Sequence, residues 1–481
     1  MILFHGFIAL IPIMSLLVFS LWKGIRIGIY TSVVFTIILF FYWGGQWRSF
    51  IASVFSAFLG TVNILMIIFG AVFLYHVMEQ KRFIEGIQRS LTETHPDHLF
   101  RFYFLTFFLT AFFESVAGFG TPGAIVPLLL MSMGFSPVLS VASVLLFDGL
   151  LSLTGAVGTP VTAGLAIPLG LSDVLVAGVY SNSGMLIALA GLVLLYFIYR
   201  MVSKETASGG VWWCLYFVVM APMALFSGYL QELTGLLASV FLAFFAYLFL
   251  FKRRRLSIRP WLPYCLLVVV LLLPKVFPFF AEWLSYKVEF SAIYGTDINA
   301  ALQPFRSPLI PFLIAVFFAL FLAGDYTIDL KPVVTKTTAV FLILFPSLAL
   351  TQLMLNSGGD QPSMIESLSD LFSKSGNAFP LLSPFIGVLG TFISGSTTVS
   401  NVIFGGVQQA SSLHLHMNPE VILSLQLCGA SLGNAICFFN IIAAGAVAGL
   451  TDYKQVLLKN ILPVLVAALV CALVGYWMIH F

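Results

Sequence analysis

Two acidic residues fall inside stretches that are otherwise apolar. Glu114 directly follows a pair of phenylalanines, and Asp148 stands in the middle of Leu145–Leu150. A charged Asp at the centre of a membrane span costs about 2.5 to 3.5 kcal/mol, so acids at this depth usually face a polar cavity or carry protons. Glu114 and Asp148 are therefore candidate proton-coupling groups. A permanently protonated carboxyl, or one that caps the N–H groups of a broken helix, is the alternative.

Both acids lie near polar, Gly-rich interruptions of apolar segments. One interruption runs over residues 113–122 and returns at 154–160; another runs over 392–401 and returns at 433–440. Gly and Pro free backbone groups that lipid cannot satisfy, so such breaks survive where they line a cavity. Small residues that only allow close helix packing are the alternative. The candidate substrate-binding residues are the glycines, hydroxyls and amides of these breaks: Gly118, Gly120, Thr121, Thr159, Gly395, Ser396, Thr397, Thr398, Ser400, Asn401, Asn434 and Asn440.

These breaks indicate an anion as the bound molecule. No Lys or Arg occurs between residues 102 and 199 or between residues 375 and 453. Broken helices at mid-membrane aim their positively polarised N-termini at one point, which binds an anion without a fixed cation. Hydroxyls and amides supply neutral hydrogen bonds beside them. The pattern predicts a small organic anion as the substrate.

Composition decides the class of protein that holds these residues. Of the 481 residues, 60% are apolar and only 9% are charged, against about 25% charged in soluble proteins. This excludes a soluble enzyme, and the absence of a basic stripe argues against nucleic acid as a partner. The five cysteines form no CxxC pair, so we expect no disulfide framework, metal site or cofactor.

Long apolar runs predict an all-α polytopic membrane protein embedded in lipid. A span needs about 20 apolar residues, and the sequence supplies about 12 or more such segments. They are continuously apolar rather than alternating, which excludes a closed barrel. The Lys and Arg residues orient the chain with the loops near Lys23, Lys81, Arg200, Arg259 and Lys331 inside. Both termini are then predicted outside, and the first apolar segment lacks the basic start of a cleavable signal peptide.

The order of features repeats along the chain. A polar turn, a Pro in a mid-segment loop, a second polar turn and a near-identical tetrapeptide, 170–173 and 449–452, occur twice and each time precede a long apolar helix. The predicted topology starts the two units on opposite faces, so the repeat is inverted, as in many secondary transporters. We expect N-terminal scaffold helices (1–100), a first transport repeat with a re-entrant hairpin (101–200), connecting scaffold helices (201–380) and a second, inverted repeat (381–481).

With these residues in view, the chain resembles the L-lactate permease family of bacterial lactate and glycolate carriers. The resemblance rests on residues 113–122 (FESVAGFGTP), 155–160 (GAVGTP), 354–358 (MLNSG), 383–387 (SPFIG), 394–401 (SGSTTVSN) and 433–434. These motifs occur in the family's order over most of the chain. The resemblance implies proton-coupled symport of a 2-hydroxymonocarboxylate across the bacterial cytoplasmic (inner) membrane. The wider ion transporter superfamily implies paired hairpins, elevator-like movement and a homodimer.

Three positions depart from the family's pattern. The second turn usually carries an acid where this chain has Thr397, and Asp148 stands where the family has Asn. Some members carry Arg-Gln where this chain has Tyr180-Ser181-Asn182. These departures leave open another substrate anion, such as a dicarboxylate or sulfonate, and Na⁺ as the coupling ion. An anion channel is a further alternative.

Overall fold

The computed structural model describes residues 2–92, 95–118, 120–203, 213–251, 257–277, 279, 286–305, 309–358 and 361–481. These residues are almost entirely helical, which confirms the all-α class. The helices are α1 (Ile2–Ala9), α2 (Ile11–Lys23), α3 (Ile25–Tyr42), α4 (Trp47–Gln80), α5 (Phe83–Thr92), α6 (His98–Val116), α7 (Thr121–Ser132), α8 (Pro137–Leu151), α9 (Gly155–Val161), α10 (Ile167–Leu169), α11 (Asp173–Val202), α12 (Cys214–Leu230), α13 (Thr234–Phe249), α14 (Leu262–Val276), α15 (Leu309–Ala323), α16 (Lys331–Leu355), α17 (Met364–Phe372), α18 (Phe379–Ser394), α19 (Thr397–His414), α20 (Pro419–Gly433), α21 (Phe438–Val447) and α22 (Lys454–His480). One antiparallel hairpin pairs β1 (Val288–Phe290) with β2 (Ala300–Leu302).

Helix starts coincide with capping side chains. Asp97 accepts two backbone N–H groups at the start of α6, and Ser136 and Asn418 do the same for one N–H each at α8 and α20. A side-chain oxygen at this position stabilises a helix by about 1 kcal/mol because the first N–H groups have no partner within it. Pro137 and Pro419 open α8 and α20, where the missing N–H leaves no bond unmade.

Eight helical segments of the described chain are long and apolar enough to cross a membrane, or nine if one bent pair counts as a span. They are Trp47–Gln80, His98–Val116, Pro137–Leu169, Asp173–Val202, Cys214–Phe249, Lys331–Leu355, Lys374–Ser394 and Lys454–His480, with the bent pair Pro419–Ile436 and Phe439–Gly445. The protein is therefore polytopic. Further apolar helices, including Thr121–Ser132 and Leu309–Ala323, are shorter, so the expected count of about 12 spans stays a prediction.

The segment Cys214–Phe249 contains two helices that lie side by side. Its path reverses at Gln231, whose φ and ψ are 50° and −119°, and α12 packs against both α11 and α13. Close approaches fix α12 on α11, where Gly191 faces the Tyr216 hydroxyl. The turn between α12 and α13 therefore reaches the interior of the protein.

Two groups of helices share one order of elements. In the first, α6 and α7 are joined by a short turn, α8 packs beside α6, and the chain reaches α11 through a broken stretch. In the second, α18 and α19 are joined by a turn, α20 packs beside α18, and the chain reaches α22 through α21. Gly170 (φ 62°) and Gly449 (φ 70°) adopt the left-handed conformation at matching places before the last helix.

Helix α4 is the longest of the described helices, at 34 residues. It contacts α15 and α16, and Gly70 allows the Phe312 ring to approach, since a Cβ there would lie 2.8 Å from that ring. Asn63 fixes the β-hairpin: its Nδ2 donates to the Ala301 carbonyl (2.8 Å) and its Oδ1 accepts from the Gln303 amide (2.9 Å). Helix α4 contacts the first group through α9, and α16 contacts the second group through α19.

Candidate functional site

The two intramembrane acids come from neighbouring helices and meet in the interior. Glu114, near the end of α6, is 4% exposed, and Asp148, near the end of α8, is 3% exposed. Their carboxyl groups lie within interaction distance of each other, and Asp148 Oδ1 has no hydrogen-bond partner among the described residues. Two carboxylates side by side in a low dielectric repel each other, so the pair is most stable when a proton lies between them.

Gly155 makes the space that Glu114 occupies. A Cβ on Gly155 would lie 2.2 Å from Glu114 Oε1, closer than any van der Waals contact, so any larger residue here would displace the Glu114 carboxyl. The carbonyl of Glu114 accepts the amide of Gly118 (3.0 Å) as α6 ends. The Glu114 carboxyl therefore lies between the end of α6 and the backbone break that begins at Gly155.

That second break is a left-handed stretch of backbone. Ala156, Val157 and Gly158 have φ values of 43°, 53° and 76°. Residues with a Cβ rarely adopt positive φ, and each such residue stores about 1–3 kcal/mol of strain. The Cα of Gly118 packs against Ala156, since a Cβ on Gly118 would lie 3.0 Å from the Ala156 Cβ. The two breaks of the first group, at Gly118 and at residues 156–158, therefore contact each other. Phe119 lies outside the described residues.

The turn of the second group is built by its own side chains. Gly395 takes the left-handed conformation (φ 73°) after α18, and Ser394 Oγ donates to the carbonyl of Ser396 (3.1 Å). Ser396 then caps α19, because its Oγ accepts the amide of Val399 (3.3 Å). The turn therefore presents the N-terminus of α19 without any cation.

Hydrogen bonds join this turn to the first group. Thr397 Oγ1 donates to Ser152 Oγ (3.3 Å), which lies 2.8 Å from Ser431 Oγ. One turn further along α19, Asn401 Nδ2 donates to the carbonyl of Pro160 (3.0 Å). The N-termini of α7 and α19 consequently approach the same segment, residues 152–158, one through Gly118 and the other through these bonds.

The other predicted binding residues occupy the surroundings of this segment. Thr121 begins α7 and is buried; Thr159 Oγ1 donates to the Ala156 carbonyl (2.6 Å); the Thr398 carbonyl packs on Gly164. Ser400 Oγ donates to the Gly387 carbonyl (3.0 Å). The hydroxyl groups of Thr159 and Ser400 are thus engaged in local hydrogen bonds. For these two residues a structural role stays an alternative to substrate binding.

Asn434 and Asn440 form a pair of their own. Asn440 Nδ2 donates to the Asn434 side-chain oxygen (3.0 Å) and to its carbonyl (3.3 Å). They flank Cys437, whose Sγ would lie 3.3 Å from a Cβ on Gly395. The pair therefore lies behind the turn of the second group, in contact with it through Cys437.

Sequence reasoning missed several polar residues at this site. Gln426 in α20 donates from Nε2 to Ser400 Oγ and Asn401 Oδ1 (3.3 Å each), and Gln408 in α19 donates to Gln426 Oε1 (3.0 Å). All four side chains are essentially buried. The sequence does hold one signal for such a buried polar residue, a single amide within an apolar run, as in Leu425-Gln426-Leu427.

A third acid and a tyrosine were also missed. Glu232, in the turn between α12 and α13, packs against Gly158, where a Cβ would lie 2.4 Å from the Glu232 Cβ and 2.5 Å from the Tyr180 hydroxyl. Tyr180 is fully buried in α11. The left-handed break is thus bordered by Glu114 on one side and by Glu232 and Tyr180 on the other.

The described residues contain no group of three or more His, Cys, Asp or Glu side chains that could hold a metal ion. His414 Nδ1 lies 3.0 Å from Asp370 Oδ1, whereas the buried Nε2 of His76 has no hydrogen-bond partner in the described chain. No hydrogen bond or ion pair of the described residues joins His76 or His414 to Glu114 or Asp148.

Comparison with known proteins gives one consistent result. The family model described as L-lactate permease matches residues 5–481. A putative L-lactate permease of Haemophilus influenzae is 24% identical over 88% of this chain and 88% of that protein. The L-lactate permease of Streptococcus iniae is 27% identical over 87% of this chain and 93% of that protein, and that of Escherichia coli K12 is 22% identical over 89% and 86%.

Proposed function

Because the chain belongs to the L-lactate permease family, a family of carriers rather than enzymes, we propose that it transports L-lactate, or a similar small 2-hydroxymonocarboxylate such as glycolate, by symport with protons. The relatives named above are L-lactate permeases by their descriptions. The observation that carries the proposal is the convergence of two helix N-termini, a left-handed break and two acids in one cation-free region.

The substrate carboxylate binds between the two turns in this proposal. The turn before α7 and the start of α19 both lie beside residues 152–158, and a helix N-terminus carries a partial positive charge. Thr397 and Asn401 lie next to that segment and can exchange their present bonds to Ser152 and Pro160 for bonds to a bound hydroxy acid. A monocarboxylate fits because the region offers one centre of positive potential and no Lys or Arg.

Glu114 and Asp148 carry the coupling proton. With one proton the carboxyl pair carries one negative charge instead of two, so it repels a bound anion less than the unprotonated pair does. One proton per monocarboxylate makes the cycle electroneutral. Asp148 takes over the role of the acid that is missing at Thr397, because both positions border the Ser152 region.

The two helix groups act as inverted transport repeats, and their turns act as the tips of re-entrant hairpins. Contacts support opposite entry directions. The start of α20 lies beside the start of α11, where Gly178 contacts the Glu420 carboxyl, whereas α8 starts beside Asn460 in the first part of α22. The hairpins then enter from opposite faces of the bacterial cytoplasmic membrane, with both termini outside, as the basic residues predict.

Burial of the binding residues requires movement during transport. Thr397 is 3% exposed and Asn401 is fully buried, so the substrate reaches them only when one group shifts against the scaffold. An elevator-like displacement of residues 101–200 and 381–481 against residues 1–100 and 201–380, in a homodimer, satisfies this requirement.

Uptake by purified protein in proteoliposomes tests the function. L-lactate, glycolate, a dicarboxylate and a sulfonate are offered under separate H⁺ and Na⁺ gradients. We expect L-lactate and glycolate to accumulate under the H⁺ gradient alone. Accumulation of another anion only, or dependence on the Na⁺ gradient, would indicate a different carrier. Uptake that never exceeds the external concentration would indicate a channel.

A further inference from the structure

A basic cavity lies far from the transport site, at the ends of α4 and α15. It has a volume of about 470 Å³ and is lined by Lys81, Arg82, Arg259 and Asp325, among others. Three basic groups and one acid give it an excess of positive charge. The orientation predicted from the basic residues puts this end of α4 on the cytoplasmic side.

Among the described residues, Lys81 is the one cation of the three that forms an ion pair. Lys81 is almost fully buried and lies 2.6 Å from Asp325, and it also donates to the Thr327 carbonyl (2.7 Å). Donation from Lys81 and Thr327 holds the pKa of the Asp325 carboxyl well below its usual range, so this pair stays ionised and balanced. Arg82 and Arg259 therefore supply the net charge of the cavity.

Both arginines have N–H donors to spare within the part of the chain that the structure describes. Arg259 Nη2 donates to the Leu322 carbonyl at the end of α15 (2.9 Å), which uses one of the five N–H groups of a guanidinium. Arg82 occupies a tight turn with φ of 58° between α4 and α5. Planar N–H pairs from two arginines match the oxygens of a phosphate group.

The borders of the cavity point to lipid as the source of that phosphate. Helix α5 begins at the cavity and packs Phe83, Ile84 and Ile87 into the protein, while Glu85 and Arg89 are exposed, so the cavity lies where the candidate membrane span α4 ends. Ile258, next to Arg259, is 66% exposed. A headgroup in the cavity would place its acyl chains along such apolar surface.

We propose that this cavity binds the phosphate of an anionic phospholipid headgroup on the cytoplasmic side of the protein. The site uses Arg82 and Arg259 as ligands, with the Lys81–Asp325 pair as its fixed floor. It is independent of the proposed function, because none of these residues contacts the transport site in the structure described above.

Native mass spectrometry of the full-length protein tests the proposal. Binding is measured for phosphatidylglycerol, for phosphatidylcholine with the same acyl chains, and for inorganic phosphate as a competitor. Each arginine near a phosphate contributes about a fivefold effect on affinity. We expect an Arg82→Gln/Arg259→Gln variant to bind phosphatidylglycerol about 25-fold more weakly, whereas Arg89→Gln, on the outer face of α5, binds like the wild type.

Elution of each variant as a single symmetrical peak on size-exclusion chromatography verifies that it folds, whatever substrate the carrier takes. If the double variant fails to fold, Arg82→Gln alone should show about a fivefold loss. Unchanged phosphatidylglycerol binding by the folded variant overturns the proposal, as does equal binding of phosphatidylcholine. Displacement of phosphatidylglycerol by millimolar phosphate would assign the cavity to a free anion instead.

Discussion

Replacement of Glu114 by Gln separates coupling from transport. The substitution preserves the volume between Gly155 and Asp148 but fixes the side chain in a neutral state. A pH difference of one unit is worth about 1.4 kcal/mol per proton, which supports about a tenfold lactate gradient at one proton per lactate. We expect the wild type to approach this ratio and Glu114→Gln to remain near equal concentrations on both sides.

The assay compares two modes in the same proteoliposomes. Net uptake is driven by an acid external medium, and exchange is measured with labelled lactate outside and unlabelled lactate inside. Glu114→Gln should retain exchange, because a permanently neutral side chain still allows the loaded carrier to change faces. Glu85→Gln, an exposed acid paired with Arg89, is the matched control and should accumulate lactate like the wild type. Tenfold accumulation by Glu114→Gln would refute Glu114 as the coupling acid.

Three further changes test the geometry of the site. Gly155→Ala should abolish accumulation, since its Cβ would displace the Glu114 carboxyl; uptake assays check this against Gly60→Ala, which meets only ordinary contacts. Asn401→Ala removes one buried partner and should raise the apparent KM for lactate about tenfold, whereas Asn377→Ala, on the surface, should not. A variant that keeps only Cys437 should react with a small thiol reagent more slowly when L-lactate is present.

The outcomes that contradict these predictions differ. Accumulation by Gly155→Ala at the wild-type level would mean that Glu114 can move without loss of coupling. An unchanged KM in Asn401→Ala would remove the second turn from the binding site. Equal reaction rates of Cys437 with and without lactate would show that the turn beside it does not respond to substrate; a variant that keeps only Cys265, on α14, is the control.

The sequence predicts much of the fold because membrane helices leave strong local signals. Capping residues such as Asp97 and Asn418 and the prolines after Ser136 and Asn418 mark helix starts. The predicted breaks at 113–122 and 392–401 coincide with the ends of α6 and α18. These features depend on neighbours in the chain, so the chain alone reveals them.

The contacts between distant segments are harder to predict. Hydropathy separates α12 from α13 at Gln231 but does not reveal that Glu232 reaches Gly158, because that contact depends on how α12 packs on α11. Gln408 and Gln426 lie in helices without Gly or Pro breaks at those positions, so their pairing is visible only in three dimensions. The meeting of Glu114 with Asp148 likewise depends on the packing of α6 beside α8.

The proton movement that accompanies lactate tests the central claim most directly. Lactate is added to proteoliposomes that contain a pH indicator and no imposed gradient, and both fluxes are recorded together. Electroneutral symport predicts internal acidification with one proton for each lactate taken up, independent of Na⁺, and its loss in Glu114→Gln. Lactate uptake without acidification, or acidification unchanged in that variant, would contradict the account.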